Sequence, residues 1–565
     1  MSRDRTRASL VVAARASGRR APAALLALAA LVAAACASGG DAARESVRRV
    51  TIVAISDWHG QVEPVTVTAG GRPRPVGGAA ALKAYFDRER ARNPGRTLVV
   101  TAGDAFGATP PVSSFLDDVP AVEAMNLMGL DADTLGNHNF DHGLDRLLKL
   151  VGLARFPYVA ANVVGPDGAT LVPPTHVFDL RGVRVGVIGI ANPETPDLVA
   201  AGRTGDLRFL PPAPVIHAHA SRLRREGADV VVVLAHVGAT GVGADGAPLG
   251  RLGVLARLVR GVDVLFGDHT DVTVNARVGD TLVVESRSRG LEYAVVEVEH
   301  DARLGRVVGA RATHRVPYAD EIAPDPALAA MVDGWRARVR PLFDRPIGAT
   351  DAPLRRSRRG ESALGNLVAD ALRAAYGVQI ALVNSGGLRD DLPSAYQPAV
   401  TALRRPAPGY ATGPPWDLVH GDLVTVFPFG NVAVTFTITG RTLWAALEHS
   451  VAAGALVGDD FVNASGRFLQ VSGVTYRFDA SRPPGRRIVE VRLEDGAPVA
   501  PDETEYSAAT VDFVYGGGDG FTMLHNGTAA TREPLSDVVA RAVAAGAAGR
   551  ARVEGRVKLA REGTP

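Results

Sequence analysis

Cysteine is almost missing from this chain: Cys36 is the single one in 565 residues. No internal disulfide can form, and whatever holds the chain together is packing. An excess of one charge is missing too. Lys+Arg number 62 against 60 Asp+Glu, a formal net charge of +2, which offers no electrostatic case for nucleic acid or for a polybasic membrane surface. The sequence has no internal repeat, and its apolar run at 21–32 is too short for a comfortable permanent membrane span. What is present is ordinary globular material: 46% of residues are hydrophobic. At this length one hydrophobic core does not usually suffice, so two domains or more are expected.

The N-terminus reads as an address. Arg3, Arg5, Arg7, Arg15, Arg19 and Arg20 precede the apolar run, which ends in Ala33-Ala34-Ala35-Cys36. A basic region, a short apolar stretch and terminal small residues mark a secretory signal. The small residues before Cys36 resemble a bacterial lipobox, with Ala33 where Leu is usual. The expectation is a lipoprotein-type signal peptide over 1–36, a lipid anchor on Cys36 attaching the chain to a membrane, and a flexible tether over 37–46. Such a protein is exported to the cell envelope, in the periplasm or on the outer surface.

From Val47 onward short β-branched runs alternate with helical periodicity. Val50–Ile55, Thr97–Val100, Arg184–Ile190, Asp229–Leu234 and Val262–Phe266 read as strands with few polar residues, which predicts an α/β sheet covered on both faces by helices. The stretch 290–299 alternates like an antiparallel strand. Helical periodicity over 325–342, with Pro341 and Pro346 nearby, carries the chain into a second half. There 362–376 reads as an amphipathic helix, Gln379–Val383 as a strand, 433–438 and 468–478 as strands, and 442–451 and 536–547 as helices. The segment 393–415, rich in Pro, Gly and Ala, reads as a long surface loop.

Chemistry-bearing residues gather just past the apolar runs, where ligands bind in sheets of this kind. Asp57, His59, Asp104, Asn137, His138, His236 and His269 all occupy such positions. Asp57 and His59, two residues apart in extended chain, point to the same side. Mixed imidazole, carboxylate and amide donors suit divalent transition metals such as Mn, Zn, Co or Fe better than calcium. Two neighbouring ions are what phosphate-ester hydrolysis uses, one acidifying the attacking water and both holding transition-state oxygens.

These residues resemble a known pattern. Asp57-Trp58-His59-Gly60, Gly103-Asp104, Gly136-Asn137-His138, His236 and Gly267-Asp268-His269-Thr270-Asp271 look like the five blocks of calcineurin-like metallophosphoesterases. Gly136-Asn137-His138-Asn139-Phe140-Asp141-His142-Gly143 narrows the likeness to the 5′-nucleotidase family, with its UDP-sugar hydrolase and 2′,3′-cyclic phosphodiesterase relatives. The likeness runs from about Val47 to about Lys558. It implies a two-sheet metallophosphoesterase sandwich flanked by helices over 47–324, a linker helix over 325–346, and an α+β substrate-binding domain over 347–560. It also implies two divalent ions. Asp57, His59, Asp104 and Asp271 would hold one; Asp104, Asn137, His236 and His269 would hold the other. At the last position of the fifth block the family commonly has Gln or His, where this sequence has Asp271. By the same likeness His138, paired with Asp141, would face the phosphate and assist catalysis.

The second half carries Asn384-Ser385-Gly386-Gly387-Leu388-Arg389, Pro428-Phe429-Gly430-Asn431 and Asp512–Phe521, which resemble the family's nucleotide-binding loops. The resemblance implies that Phe429 and Phe513 clamp a base, Asp519 accepts from ribose hydroxyls, Arg358 and Arg389 hold phosphate, and Asn384 adds a polar contact. Any neighbour in Arg355-Arg356-Ser357-Arg358-Arg359 could serve in place of Arg358. The expected function is hydrolysis of nucleoside 5′-monophosphates to nucleoside and phosphate. Cleavage of cyclic nucleotides or nucleotide sugars is the enzymatic alternative, and a surface nucleotide-binding lipoprotein the non-enzymatic one. Nucleotide is the implied partner; no nucleic acid or protein partner is. If the ions sit in one half and the base clamp in the other, a hinge over 325–346 is needed to close them.

Overall fold

The structure, a computed structural model, describes residues 46–200, 202–457, 460–462 and 465–560. The expected signal peptide, Cys36 and all but the last residue of the tether lie outside the described residues. Among those described, no helix is long and apolar enough to cross a membrane.

The first half is built on two stacked sheets. One has four strands in the order Arg306–Arg315, Tyr293–Asp301, Val47–Ile55, Thr97–Thr101. The other has six, in the order Val274–Val278, Thr281–Glu285, Val264–Phe266, Val230–Ala235, Arg184–Ile190, Thr175–Asp179. Side-chain alternation along the strands explains the stacking. Val50, Ile52 and Ala54 turn inward to meet Val185, Val187, Val230 and Val232 of the facing sheet. Val53 and Ile55 turn outward onto Leu82, Phe86 and Met125, from the helices Ala79–Arg92 and Val119–Met128. On the far side Val231 and Val233 pack on Ile216 and Leu252. This corrects the expectation from periodicity that helices cover both faces of one sheet. Each sheet has helices on one face and the other sheet on its second face. An apolar run reports burial on two sides without saying what does the burying.

Strand register brings the loops level at one edge. Val47–Ile55 runs parallel to Thr97–Thr101 with Ile55 opposite Thr101. In the second sheet Val230–Ala235 runs parallel to Val264–Phe266 with Leu234 opposite Phe266. Asp57, Asp104, His236 and His269 each lie two or three residues past those paired ends. The antiparallel strand expected at 290–299 is Tyr293–Asp301, paired on both sides, with Val47–Ile55 and with Arg306–Arg315.

The helix Pro326–Phe343 leads to the second half. The Asp325 carboxylate caps its N-terminus, accepting from the Leu328 N–H at 2.9 Å. The second half has a five-stranded sheet in the order Leu469–Ser472, Ile380–Asn384, Glu505–Val511, Val432–Thr439, Ala530–Pro534. The helices Ala363–Tyr376, Gly440–Ala452 and Leu535–Ala544 share its core. The stretch 468–478, expected as one strand, is two, broken at Gly473, whose φ of 79° no L side chain adopts comfortably. The segment 393–415 forms no helix or strand, but it is not simply a surface loop. Arg405, 3% exposed, forks onto both oxygens of the fully buried Asp422 at 2.6 and 2.7 Å. That pair ties the segment into the interior.

Candidate active site

The loops at the sheet edge adopt backbone conformations that their residues disfavour. Asp57, His59, Asp104, His269 and Asp271 have φ of 41°, 49°, 47°, 93° and 57°. For non-glycine residues each of these costs free energy, and such strain collects at functional sites. Two glycines allow the closest approaches. A Cβ on Gly136 would fall on the Asp104 carboxylate, and one on Gly107 would fall on the His138 carbonyl. Asn139 staples the intervening loop, accepting from the Gly136 N–H at 2.7 Å and donating to the Phe106 carbonyl at 3.0 Å.

The candidate ligand atoms converge. Nε2 of His236 lies 3.0 Å from Asp104 Oδ2, 3.2 Å from Asn137 Oδ1 and 3.2 Å from Nδ1 of His269. Asp57 Oδ1 lies 3.9 Å from His236 Nε2 and 4.0 Å from His59 Nε2. Asp57, His59 and Asp104 form one group within 4.8 Å, and Asp104, His236 and His269 another.

Three observations fit these residues to divalent cations. His59 directs Nδ1 at the Gly107 carbonyl at 2.8 Å, and His236 directs Nδ1 at the Ala102 carbonyl at 3.1 Å. Those bonds fix the tautomer and leave the Nε2 lone pairs facing inward. Asp57 Oδ1 is buried with no hydrogen-bond partner among the described residues. The electrostatics also lack positive charge. Burial lifts the Asp57 carboxyl to about 6, although His236 pulls against it. Burial draws the His236 imidazole down, but Asp104 and Asp57 overcome it and hold the ring up at about 9. A cation among these carboxylates would supply what the ring proton otherwise supplies.

His138 stands beside the cluster, outside both groups. Its N–H donates to Asp104 Oδ1 at 2.8 Å, and its Nδ1 faces Asp141 Oδ2 at 2.9 Å. Burial pulls its pKa down; Asp141 and Asp104 outweigh that and leave it above the usual histidine value. With Nδ1 engaged by Asp141, Nε2 is left for the site.

Asp271 is not brought to the cluster. Its Oδ1 accepts from the N–H and the hydroxyl of Ser288 at 2.8 and 3.0 Å, and its side chain is 51% exposed. The carboxylate that joins instead is Asp268, fully buried, which accepts from the Asp57 N–H at 3.2 Å and the His269 N–H at 2.9 Å. It groups with Asp57 and His236. Asp268 sits inside the fifth sequence block, yet nothing in its spacing separates it from Asp271; only chain direction does.

The second half faces this cluster. Phe429 lies flat on His138, ring centroids 5.4 Å apart, and the Arg389 guanidinium carbon is 5.5 Å from the Phe429 centroid. Asn384 donates to Asp519 Oδ2 at 2.8 Å. Phe513 packs over Gly518, where a Cβ would strike the ring. Arg358 lies close enough to His269 to push its imidazole down, after burial and His236 have done most of that. Of the residues expected to meet substrate, Phe429, Arg389 and Arg358 lie beside the candidate ligand cluster, while Asn384, Asp519 and Phe513 are held by contacts within the second half.

Comparison with known proteins sets these loops in context. The family model for calcineurin-like phosphoesterases matches residues 50–279, and that for the 5′-nucleotidase C-terminal domain matches residues 343–526. Cell wall protein Lmo0130 of Listeria monocytogenes is 30% identical over 528 residues, which is 84% of this chain and 64% of the relative. Endonuclease YhcR of Bacillus subtilis is 29% identical over 474 residues, 80% of this chain but 36% of the relative. The chain thus spans less than two thirds of either relative's length. The crystal structure of a 5′-nucleotidase precursor from Thermus thermophilus superposes with a TM-score of 0.76 at 29% identity, covering 91% of this chain and 100% of that one.

Proposed function

The chain belongs to the 5′-nucleotidase family of calcineurin-like phosphoesterases, which are metal-dependent hydrolases, and from that premise we propose that it cleaves nucleoside 5′-monophosphates to nucleoside and phosphate. The observation that carries this reading is the inward convergence of Asp57, Asp104, Asn137, His236 and His269 beside the His138–Asp141 pair, with Arg389 close to the same imidazole. In this reading two divalent ions are held by Asp57, His59, Asp104, Asn137, His236 and His269. When bound, they supply Lewis-acid charge to the phosphoryl oxygens and acidify the attacking water.

The chain's own residues do the rest. Asp141 fixes the His138 ring and favours its charged form, so that Nε2–H can stabilise developing negative charge or protonate the leaving 5′-oxygen. Asp268 cinches the Asp57 and His269 loops through their N–H groups, holding both side chains at fixed reach. Arg358 and Arg389 hold the phosphate, Phe429 and Phe513 accept the base, and Asn384 orients Asp519 for the ribose hydroxyls. The domain limits follow the same division: 47–324 for the metal half, 325–346 for the linker and 347–560 for the substrate half. Export and anchoring at Cys36 complete the proposal, placing nucleotide hydrolysis in the cell envelope.

The test is a panel of AMP, 2′,3′-cyclic AMP and UDP-glucose with Mn, Zn or Co, on the wild type and on His138→Ala. AMP turnover that collapses in the variant with metal content intact is expected. Preference for the cyclic diester or the nucleotide sugar would overturn the monophosphate assignment, and AMP binding without phosphate release under any metal would overturn the enzyme assignment.

A further inference from the structure

Arg289 lies on the metal half, in the loop that follows the strand Thr281–Glu285. That loop is pinned from several sides. The Arg289 N–H donates to the Asp57 carbonyl at 2.9 Å, and the Ser286 N–H to the Ser56 hydroxyl at 3.2 Å. Asp271 takes both donors of Ser288. Behind the loop Gly77 permits close backbone approach, since a Cβ there would come within 2.8 Å of the Gly290 carbonyl oxygen. Arg289 itself has φ of 56°, a conformation a non-glycine residue adopts at a cost.

From that fixed base the side chain crosses to the other half, with Nη2 3.4 Å from the Arg389 carbonyl. There it joins Arg356, Arg358 and Arg389. Burial draws all three of those guanidiniums below the ordinary value, and neighbouring arginines, Arg289 among them, push them further in the same direction; Arg389 falls to about 9. Asp390, Asp391, Asp271, Asp519 and Asp141 lie near enough to offset part of this repulsion through space, but the first three spend their hydrogen bonds on other donors. Asp390 accepts from the N–H groups of Asp391 and Ala395, Asp391 from Arg355 and the Arg356 N–H, and Asp271 from Ser288. Arg389 Nε is buried without a partner among the described residues. Guanidiniums gathered at a junction with one donor unspent make a site for a multiply charged oxyanion.

We infer that Arg289 is the metal half's own ligand for the substrate phosphoryl group, and that it selects a monoester dianion over a diester monoanion. The inference rests on the proposed phosphohydrolase reading and names a binding residue that reading does not include. It also accounts for Asp271, whose carboxylate braces the loop that presents Arg289.

The experiment uses the metal-loaded full chain and inorganic phosphate, with Arg289→Gln and Arg289→Lys as variants. Calorimetry is expected to show phosphate binding weakened tenfold or more in Arg289→Gln and less in Arg289→Lys, which keeps the charge but not the fork. The KM for AMP should rise in parallel, with kcat within about threefold and metal content unchanged. The ratio of AMP to 2′,3′-cyclic AMP efficiency should fall in Arg289→Gln. Phosphate affinity within twofold of wild type would overturn the inference. So would joint loss of metal and phosphate in both variants, since the loop would then be acting through Asp57. Should the wild type prove inert toward AMP, the function reading fails while the phosphate titration still decides the role of Arg289.

Discussion

His138 and Phe429 come from different halves of the chain and lie face to face, ring centroids 5.4 Å apart and planes 8° from parallel. The ring expected to hold a base is thus also the ring against which the imidazole rests. In the proposed reading base recognition and proton placement would share a surface. Stacking on an aromatic is worth roughly 1–3 kcal/mol per base, or about thirtyfold in affinity at the middle of that range. Phe429→Leu and Phe513→Leu should each raise KM for AMP by about that factor while leaving KM for a base-free phosphomonoester unchanged. Only Phe429→Leu should also lower kcat. Equal kcat in the two variants would mean that the stack does not position His138.

His138 and Asp141 should behave as one unit. His138→Ala is expected to lower kcat by roughly 10²–10⁴, the usual range for a positioned proton donor. Asp141→Asn should lower it less, since the ring stays but loses the carboxylate that orients and charges it. In the double variant the losses should not add. Steady-state kinetics with metal content measured in parallel checks this; additive losses would separate the two residues.

Chelation should destabilise the folded chain, because Asp57 and Asp104 would then share a buried space with only the His236 ring proton to offset their charge. A ligand at a concentration about a thousandfold above its dissociation constant stabilises by about 4 kcal/mol, so thermal unfolding should shift down on metal removal and recover on Mn addition. Asp57→Asn and Asp104→Asn should bind less metal by elemental analysis. Asp271→Asn should bind as much as wild type, because its carboxylate faces Ser288. Loss of an ion from Asp271→Asn would restore it to the ligand set.

The fork between Arg405 and Asp422 is buried on both sides, 2% and 0% exposed. Removing one partner of such a pair leaves a stranded charge and costs about 3–5 kcal/mol. Arg405→Met should lower the denaturation midpoint accordingly, and the paired Arg405→Met, Asp422→Leu change should recover part of the loss. A midpoint unchanged in the single variant would mean that the 393–415 segment is held by other contacts.

Much of this was legible in the chain itself. The strands Val47–Ile55 and Val230–Ala235 announce themselves by β-branched runs, and the helix Ala363–Tyr376 by its amphipathic spacing, capped by Ser362 accepting from Gly365. The residue types past those strands, carboxylate and imidazole, suit divalent metals, and their resemblance to a known pattern is what implied phosphate chemistry. The anchoring role of Arg405 was not legible, because proline and glycine around it mask a contact made across seventeen residues.

The sequence by itself determined which donors exist and that all but Asn137 follow a strand, because side-chain chemistry and strand propensity are local properties. The tertiary structure alone decided which donors meet. Strand register sets how far each loop reaches, and a left-handed residue sets which way it turns. That is why Asp268 faces Asp57 while Asp271, three residues on, turns to Ser288, and why Arg289 reaches the other half.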